Sequence, residues 1–414
     1  MIPDGWKLTS LFEVCEGQLQ TGPFGSQLHA HEYKDNGIPV LMPKNLVKYR
    51  ADTEAAAKIP TERAKDLSKH KLKIGDLLFS RRGDVARFAL IDKDSEGALC
   101  GTGCLKATPS EKHSSLFLSY FLQRNTVKQW LEQNAVGQTM PNMNTAILSK
   151  LPLMAAETRE EEEKIANILS TWDKAIETVE KLIDNSRTQK QALMQQLLTG
   201  KKRLPGFDLK WNGHSLGDLG KTYNGLTGKT KDDFLEGKPF IPYINIFNND
   251  RIDTKKLNLV SIKKNEKQSK AIFGDIFFTT SSETPDEVGM SSVLLDEIEE
   301  LYLNSFCFGF RLKDFNTLIP EYACYLLRSQ SVRREICKLA QGSTRYNLSK
   351  PGLMKINLRL PPVDEQKLIV QILNNAGDDI KNLESNRDFL ASEKKSLMQQ
   401  LLTGKRRVKI DTAA

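Results

Sequence analysis

Leu193-Met194-Gln195-Gln196-Leu197-Leu198-Thr199-Gly200-Lys201 occurs again, unchanged, as Leu397-Met398-Gln399-Gln400-Leu401-Leu402-Thr403-Gly404-Lys405, 204 residues further along a chain of 414. Repeats of about 20–50 residues stack into solenoids. A period of half the chain describes two complete units instead. The echo extends past the nonamer: Trp6 matches Trp211, Gly75-Asp76 matches Gly274-Asp275, Tyr120 matches Tyr325, Gly137 matches Gly342 and Ile165 matches Ile369. Each unit is a globular region followed by a helix, and such a chain can fold with internal pseudo-twofold symmetry, as a homodimer would. Its function should have two parts: it touches two things, or one thing in two places.

The residues before each nonamer predict the helix. From about 159 to 199, apolar positions fall at Ile165, Leu169, Trp172, Ile176, Val179, Ile183, Leu193 and Leu197, with Ser186 and Lys190 breaking the register. Spacing that alternates four and three is a coiled-coil seam. The second copy places Ile369, Leu373, Ala376, Ile380, Leu383, Leu390, Leu397 and Leu401 in the same register, with Arg387 and Lys394 as its breaks, taken as equivalent. Matched seams predict that the two helices are each other's partners, since one small domain cannot cover so long a helix. At ~1.5 Å per residue each is a rod of roughly 60 Å. Gly200 and Gly404 stand where a helix ends at a left-handed residue.

The globular regions, 1–157 and 204–362, read as mixed α/β. Short β-rich runs, each after a turn signal, are Ile38–Met42 with Ile241–Asn245, and Asp76–Ser80 with Asp275–Thr279. Amphipathic helices are expected at Leu116–Gln133 and Glu321–Leu339, followed by polar loops at Gly137–Asn144 and Gly342–Asn347. The fold class is therefore two pseudo-twofold-related α/β (α+β) domains joined by two long coiled-coil helices. The helical segments are 158–203 and 363–414.

Composition bounds the function. The chain is 39% hydrophobic and 27% charged, with a net charge of +8 and a pI near 9.0, which favours a polyanionic partner. No apolar run approaches the roughly 20 residues of a membrane span. The start, Met1-Ile2-Pro3-Asp4-Gly5-Trp6, lacks a signal-peptide layout, so a cytoplasmic protein with six reduced cysteines is expected.

Catalytic motifs fail. Gly225-Leu226-Thr227-Gly228-Lys229-Thr230 has Tyr223 where a Walker A loop needs its first glycine. Cys100 and Cys104 form a lone pair, short of the four ligands of a structural zinc site, and His29 and His31 are isolated loop residues. No Asn-Pro-Pro-Tyr or Asp-Pro-Pro-Tyr tetrapeptide of an amino-methyltransferase is present. No catalytic residue and no metal ligand is assigned.

Polar and basic loops remain, on equal frameworks but with different residues. Ser80-Arg81-Arg82-Gly83-Asp84 faces Thr279-Thr280-Ser281-Ser282-Glu283, and Gln138-Thr139-Met140-Pro141-Asn142 faces Ser343-Thr344-Arg345-Tyr346-Asn347. Arginine reads guanine edges, asparagine and glutamine read adenine, and lysine, serine and threonine hold phosphate. The candidate DNA-binding residues of the first region are Lys44, Asn45, Lys48, Tyr49, Arg50, Arg81, Arg82, Arg87, Gln138, Thr139 and Asn142. Those of the second are Tyr223, Asn224, Thr227, Lys229, Asn245, Asn248, Asn249, Thr280, Ser281, Ser282, Ser343, Thr344, Arg345, Tyr346 and Asn347. The rival reading is a two-domain scaffold for protein partners that does not bind DNA.

With these residues in place, the layout resembles the specificity (S) subunit of Type I restriction–modification systems, the HsdS family. The resemblance rests on Leu19–Leu28, Gly75–Asp84, Leu360-Pro361-Pro362-Val363-Asp364-Glu365-Gln366 and the two nonamers, and covers essentially the whole chain. The first copy departs from it at Ala155-Ala156-Glu157-Thr158-Arg159, where the second has the usual Leu-Pro-Pro lead into the helix. The resemblance implies that regions 1–157 and 204–362 are target-recognition domains, each reading half of a split DNA site, with antiparallel spacer helices setting the gap. It also implies two docked methyltransferase (M) subunits, which carry S-adenosylmethionine for adenine methylation. Two restriction (R) subunits using ATP and magnesium join them, and the S chain itself holds no cofactor and is not catalytic.

Overall fold

The protein is described by a computed structural model, which covers residues 2–24, 27–137 and 139–410. Two long helices, Arg159–Leu197 and Val363–Leu401, have 39 residues each. The chain divides into two compact units: Met1–Val179 with Asn386–Ala414, and Glu180–Ser385. These differ from the boundaries expected from the sequence. Each unit takes a globular region, the first half of the helix that comes after it and the second half of the other helix. The reason is antiparallel packing, visible inside each unit. In unit one, Ile165 and Leu169 share a core with Leu401 and Leu402. In unit two, Ile369 and Leu373 share one with Leu197 and Leu198. All sixteen seam positions are buried or half-buried.

Of the seam breaks, only the lysines coincide at the 204-residue offset; Arg387 falls at the place of Ile183, and Ser186 at that of Leu390. Each lysine is absorbed by its own unit. Lys394 donates to Asp173 (2.5 Å) and lies over the Tyr120 ring, whose hydroxyl donates to the same carboxylate (2.6 Å). Lys190 lies over Tyr325.

The joints between helix and domain also repeat. Arg407 grips Glu161 at 2.6 and 2.8 Å in unit one. Arg203 grips Glu365 at 2.9 Å through both nitrogens in unit two. Both carboxylates are buried. Gly404 and Gly200, at φ +65° and +69°, end their helices under Trp6 and Trp211. One residue further along each helix, Glu162 accepts from the backbone of Ser114 (2.7 Å) and pairs with His113 Nδ1 (2.9 Å). Gln366 accepts from the backbone of Ile319 (3.0 Å). The helix starts are thus bonded to the N-termini of Ser115–Leu122 and Pro320–Arg328.

In unit one, Trp6–Ser10 pairs antiparallel with Pro152–Ala156. A six-stranded sheet runs in the order Leu19–Thr21, Cys104–Ala107, Leu77–Ser80, Phe88–Leu90, Arg50–Ala51, Leu46–Val47, beside a three-stranded sheet centred on Ile38–Leu41. Unit two repeats the scheme. Asn212–Ser215 pairs with Asn357–Leu360, a four-stranded sheet is centred on Ile276–Thr279 and Cys307–Leu312, and a three-stranded one on Lys238–Ile241. The repeated Gly-Asp explains the central strands. Gly75 and Gly274 adopt φ +91° and +84°. The buried Asp76 and Asp275 then accept from the backbones of Lys73 and Ile272 at the turn into Leu77–Ser80 and Ile276–Thr279, strands buried along their whole length.

Two local expectations are corrected. Ile241–Asn245 is not one β run: the strand ends at Ile241, and Pro242 caps a helix, Tyr243–Asn248. Each long amphipathic helix is two, Ser115–Leu122 with Asn125–Asn134 and Pro320–Arg328 with Gln330–Cys337. Arg124 and Ser329 are extended, and the Ser329 hydroxyl caps the second helix of its pair.

Candidate nucleic-acid interface

The structure brings together the loop pairs that the repeat singled out. In unit one, the Gly83 N–H donates to Pro141 (3.1 Å), Met143 donates to Arg81 (2.8 Å), and Arg82 bridges Asn142, which also bridges Val136. Arg82 and Thr139 are exposed, and Asn142 is half-buried beside them. The Nε of Arg81 is buried without a partner among the described residues. Arg87 is held by Asp84 at 3.0 Å. Gln138 lies outside the described residues.

In unit two the same crossing is a small sheet, Ser281–Ser282 against Tyr346–Leu348 against Ala340–Gln341. Ser281 pairs with Asn347 and Ser282 with Tyr346. Arg345 Nε donates to Ser281 Oγ (3.1 Å), and Ser343, Thr344 and Arg345 stand exposed in the loop just after Gly342. Gly342 takes φ +126°, where a Cβ would lie 2.2 Å from the Arg345 carbonyl. Thr280 and Ser282 use their hydroxyls on Phe306 and Glu287. The exposed Arg345 and Asn347, with Ser343 and Thr344, are the groups here whose chemistry can hold phosphate and read base edges.

A second feature of unit one is the hairpin between Leu46–Val47 and Arg50–Ala51. Its two central residues, Lys48 and Tyr49, adopt φ +48° and +66°. A two-residue turn of this hand ordinarily takes Asn-Gly. Here a cation and an aromatic are held in it, exposed, with Tyr49 packed on Phe88 at 5.1 Å. Non-glycine residues in this region cost of order 1 kcal/mol each and gather at functional sites. Lys44 and Arg50 flank the turn, also exposed.

Seven candidates prove structural. Ser281 and Ser282 are buried, with their hydroxyls engaged by Arg345 and Glu287. Asn45 is buried and accepts from the backbone of Met42. Asn245 is buried and ties Asp253 and Lys256 into its loop, with Asn249 folded back onto it. Lys229 is buried against Glu266 (2.6 Å). Tyr223 donates to Asp275 (2.6 Å) beneath the Arg311 guanidinium, and burial pushes its phenol up. Their polar atoms are consumed by the fold, which a sequence alone does not reveal. Asn224, Thr227 and Asn248 are exposed; Asn224 accepts from Lys350 (2.7 Å), and the Thr227 backbone is latched by Gln268.

Sequence reasoning missed Tyr243, Phe306 and Lys350. Tyr243 donates to the Ser281 carbonyl (2.9 Å), and the Phe306 carbonyl receives Thr280 (3.1 Å). Lys350 lies over Phe308, its ammonium pushed down by burial. The only signal was Asn304-Ser305 between two buried strands, a turn that must project its next residue, Phe306.

The Cys100 and Cys104 thiols are buried, and desolvation pushes Cys100 up to about 12. Among the described residues no helix is long and apolar enough to cross a membrane.

Residues 3–185 and 209–387 match the family described as the Type I restriction modification DNA specificity domain. The chain belongs to that family, whose members are non-catalytic specificity subunits. A Methanocaldococcus jannaschii chain provisionally named the MjaX type I restriction enzyme specificity subunit is 25% identical over 435 residues, covering 99% of this chain and 95% of that one. The HsdS subunit of Thermoanaerobacter tengcongensis superposes with a TM-score of 0.55 at 17% identity, covering 98% of each chain. A structure from a study of complex assembly and conformational transition in the type I R-M system reaches 0.61 at 17% identity, covering 98% of this chain and 100% of that one. DNA sequence specificity is thus the function, and the scaffold reading is not favoured.

Proposed function

We propose that each unit reads one half of a split, asymmetric DNA site, and that the two long helices set the gap between half-sites. The observation that carries this is the pair of loop crossings: equivalent in backbone, Arg81–Asp84 with Thr139–Asn142 in one unit, Thr280–Ser282 with Ser343–Asn347 in the other, and different in most side chains. Arg81, Arg82 and Met140 stand where the other unit has Thr280, Ser281 and Arg345, while Thr139 with Thr344 and Asn142 with Asn347 are shared. Equal frames with unequal chemistry recognise unequal sequences. A helix of 39 residues is ~58 Å long, enough to serve readers in successive major grooves about 34–36 Å apart.

The same reading assigns the helices as the dock for two methyltransferase subunits, which bind S-adenosylmethionine, extrude the target adenine and methylate its N6. Two restriction subunits supply ATP- and magnesium-dependent cleavage. The complex works in the cytoplasm. No step of the chemistry falls on this chain.

The test is co-expression with the methyltransferase subunit encoded beside it, followed by mapping methylated adenines across a genome. One split motif with a fixed gap is expected. Exchanging residues 1–157 for another member's domain should change one half of it only; a change in both halves overturns the two-reader assignment. Removing one heptad from each helix should alter the gap and leave the half-sites as they were.

A further inference from the structure

Phe306 is 61% exposed, yet it is fixed more firmly than an exposed residue needs to be. Its N–H donates to Asn304 Oδ1 (2.8 Å), an Asx turn. Cys307 closes the turn onto the Asn304 carbonyl (3.1 Å). The Phe306 carbonyl receives both the backbone N–H and the hydroxyl of Thr280. Thr280 in turn accepts from Leu348 (2.8 Å), so the turn is stitched directly onto the crossing that carries Ser281 and Arg345. The ring stands exposed on a backbone held at both ends, beside the crossing whose exposed residues include Ser343, Thr344 and Arg345.

Resting on the reading above, we infer that Phe306 is a sequence-reading side chain of unit two, which packs its ring against a thymine 5-methyl group in the major groove. The methyl is the one apolar feature a base edge offers there, and phenylalanine is a side chain suited to it. The exposed Arg345 one strand away supplies the positive charge that seats the backbone. Unit one lacks the contact. There the N–H of Arg81 donates to the carbonyl of Gly103 at the matching place (2.8 Å), and Gly103 has no room for a side chain, because its Cβ would meet Pro43 at 2.9 Å. The device belongs to one half-site only.

The experiment uses the chain assembled with its methyltransferase subunit and duplexes carrying the mapped motif. The half-site of unit two is identified first, by exchanging residues 204–362. Each thymine of that half-site is then replaced singly by deoxyuridine, which removes one methyl group. Affinity should fall about fourfold at one position, the worth of one buried methyl. Phe306→Ala should bind the methylated and unmethylated duplexes alike, and Phe306→Leu should keep most of the discrimination. The inference is overturned if no thymine is sensitive, or if Phe306→Ala retains the sensitivity. The second unit's role as a reader fails separately, when the exchange of 204–362 leaves the motif unchanged.

Discussion

Glu162 gives the sharpest test of how the units are held to their helices. Its carboxylate is 0% exposed and takes the backbone N–H of Ser114 at 2.7 Å and His113 Nδ1 at 2.9 Å. Glu162→Ala removes both bonds and leaves the Ser114 N–H buried and unpaired. A hydrogen bond to a charged group is worth about 1.5–3 kcal/mol, and a stranded buried donor costs about 1–3. Allowing for relaxation, the loss should be about 3 kcal/mol. For a unit of roughly 200 residues, at about 2–4 °C per kcal/mol, the melting point drops by about 6–12 °C. Glu162→Gln should behave quite differently, because the other unit already uses glutamine there: Gln366 accepts from the equivalent N–H of Ile319 at 3.0 Å. An amide oxygen can keep the Ser114 bond, so the cost should stay near 1 kcal/mol or below. Urea unfolding of the full chain monitored by tryptophan fluorescence separates the two, since Trp6 shares this core. If glutamine costs as much as alanine, the hydrogen-bond argument is wrong. If alanine is neutral, the clamp contributes nothing to stability.

Gly404→Ala places a methyl 2.9 Å from the Trp6 ring at φ +65° and should cost about 3 kcal/mol, whereas Gly228→Ala, at φ +67° with nothing within 4 Å, should cost only about 1; the gap between their urea midpoints measures the packing contribution. Glu266 supplies a pH test. Hydrogen bonds from Lys229, then Gln268 and the Lys263 backbone, hold its carboxyl at about 2, below the ordinary 4.5. A depressed carboxyl stabilises the fold above its unfolded value, and that stability is lost as pH falls through its folded one. Urea midpoints of the wild type and Glu266→Gln should therefore converge between pH 4.5 and 2; curves that stay parallel through that window refute the assignment.

Much of this architecture is written in local patterns. A nonamer twice over and a four-three spacing of apolar residues specify two helices, because a seam must recur wherever two rods touch. Gly75-Asp76 and Gly274-Asp275 mark strand entries, because a left-handed turn and a buried acceptor need those residue types. The frame around the interface was legible for the same reason. Its individual members were less so. Asn45, Asn245 and Lys229 have the composition of readers, but Asn45 is buried with its side-chain oxygen on the Met42 backbone, and the side chains of Asn245 and Lys229 are bonded into their own loops. Phe306 has the composition of a core residue and stands in solvent. Whether a side chain faces in or out of a loop is decided by partners distant in sequence, such as Glu266 for Lys229 and Thr280 for Phe306. The break at Ser329 likewise depends on one hydroxyl choosing a backbone N–H.

The Arg–Glu–Trp joint has a consequence for how such proteins diversify. Arg203 with Glu365 and Trp211, and Arg407 with Glu161 and Trp6, amount to one plug and one socket made twice, differing in that Trp211 Nε1 donates to Glu365 (3.2 Å) while Trp6 Nε1 is buried without a partner among the described residues. Because the fittings are alike, mutations in the loops beyond them need no compensating change at the joint. Selection can then rewrite one reader while the other keeps its meaning, and a lineage can gain a new vocabulary by shuffling halves, without redesigning its grammar.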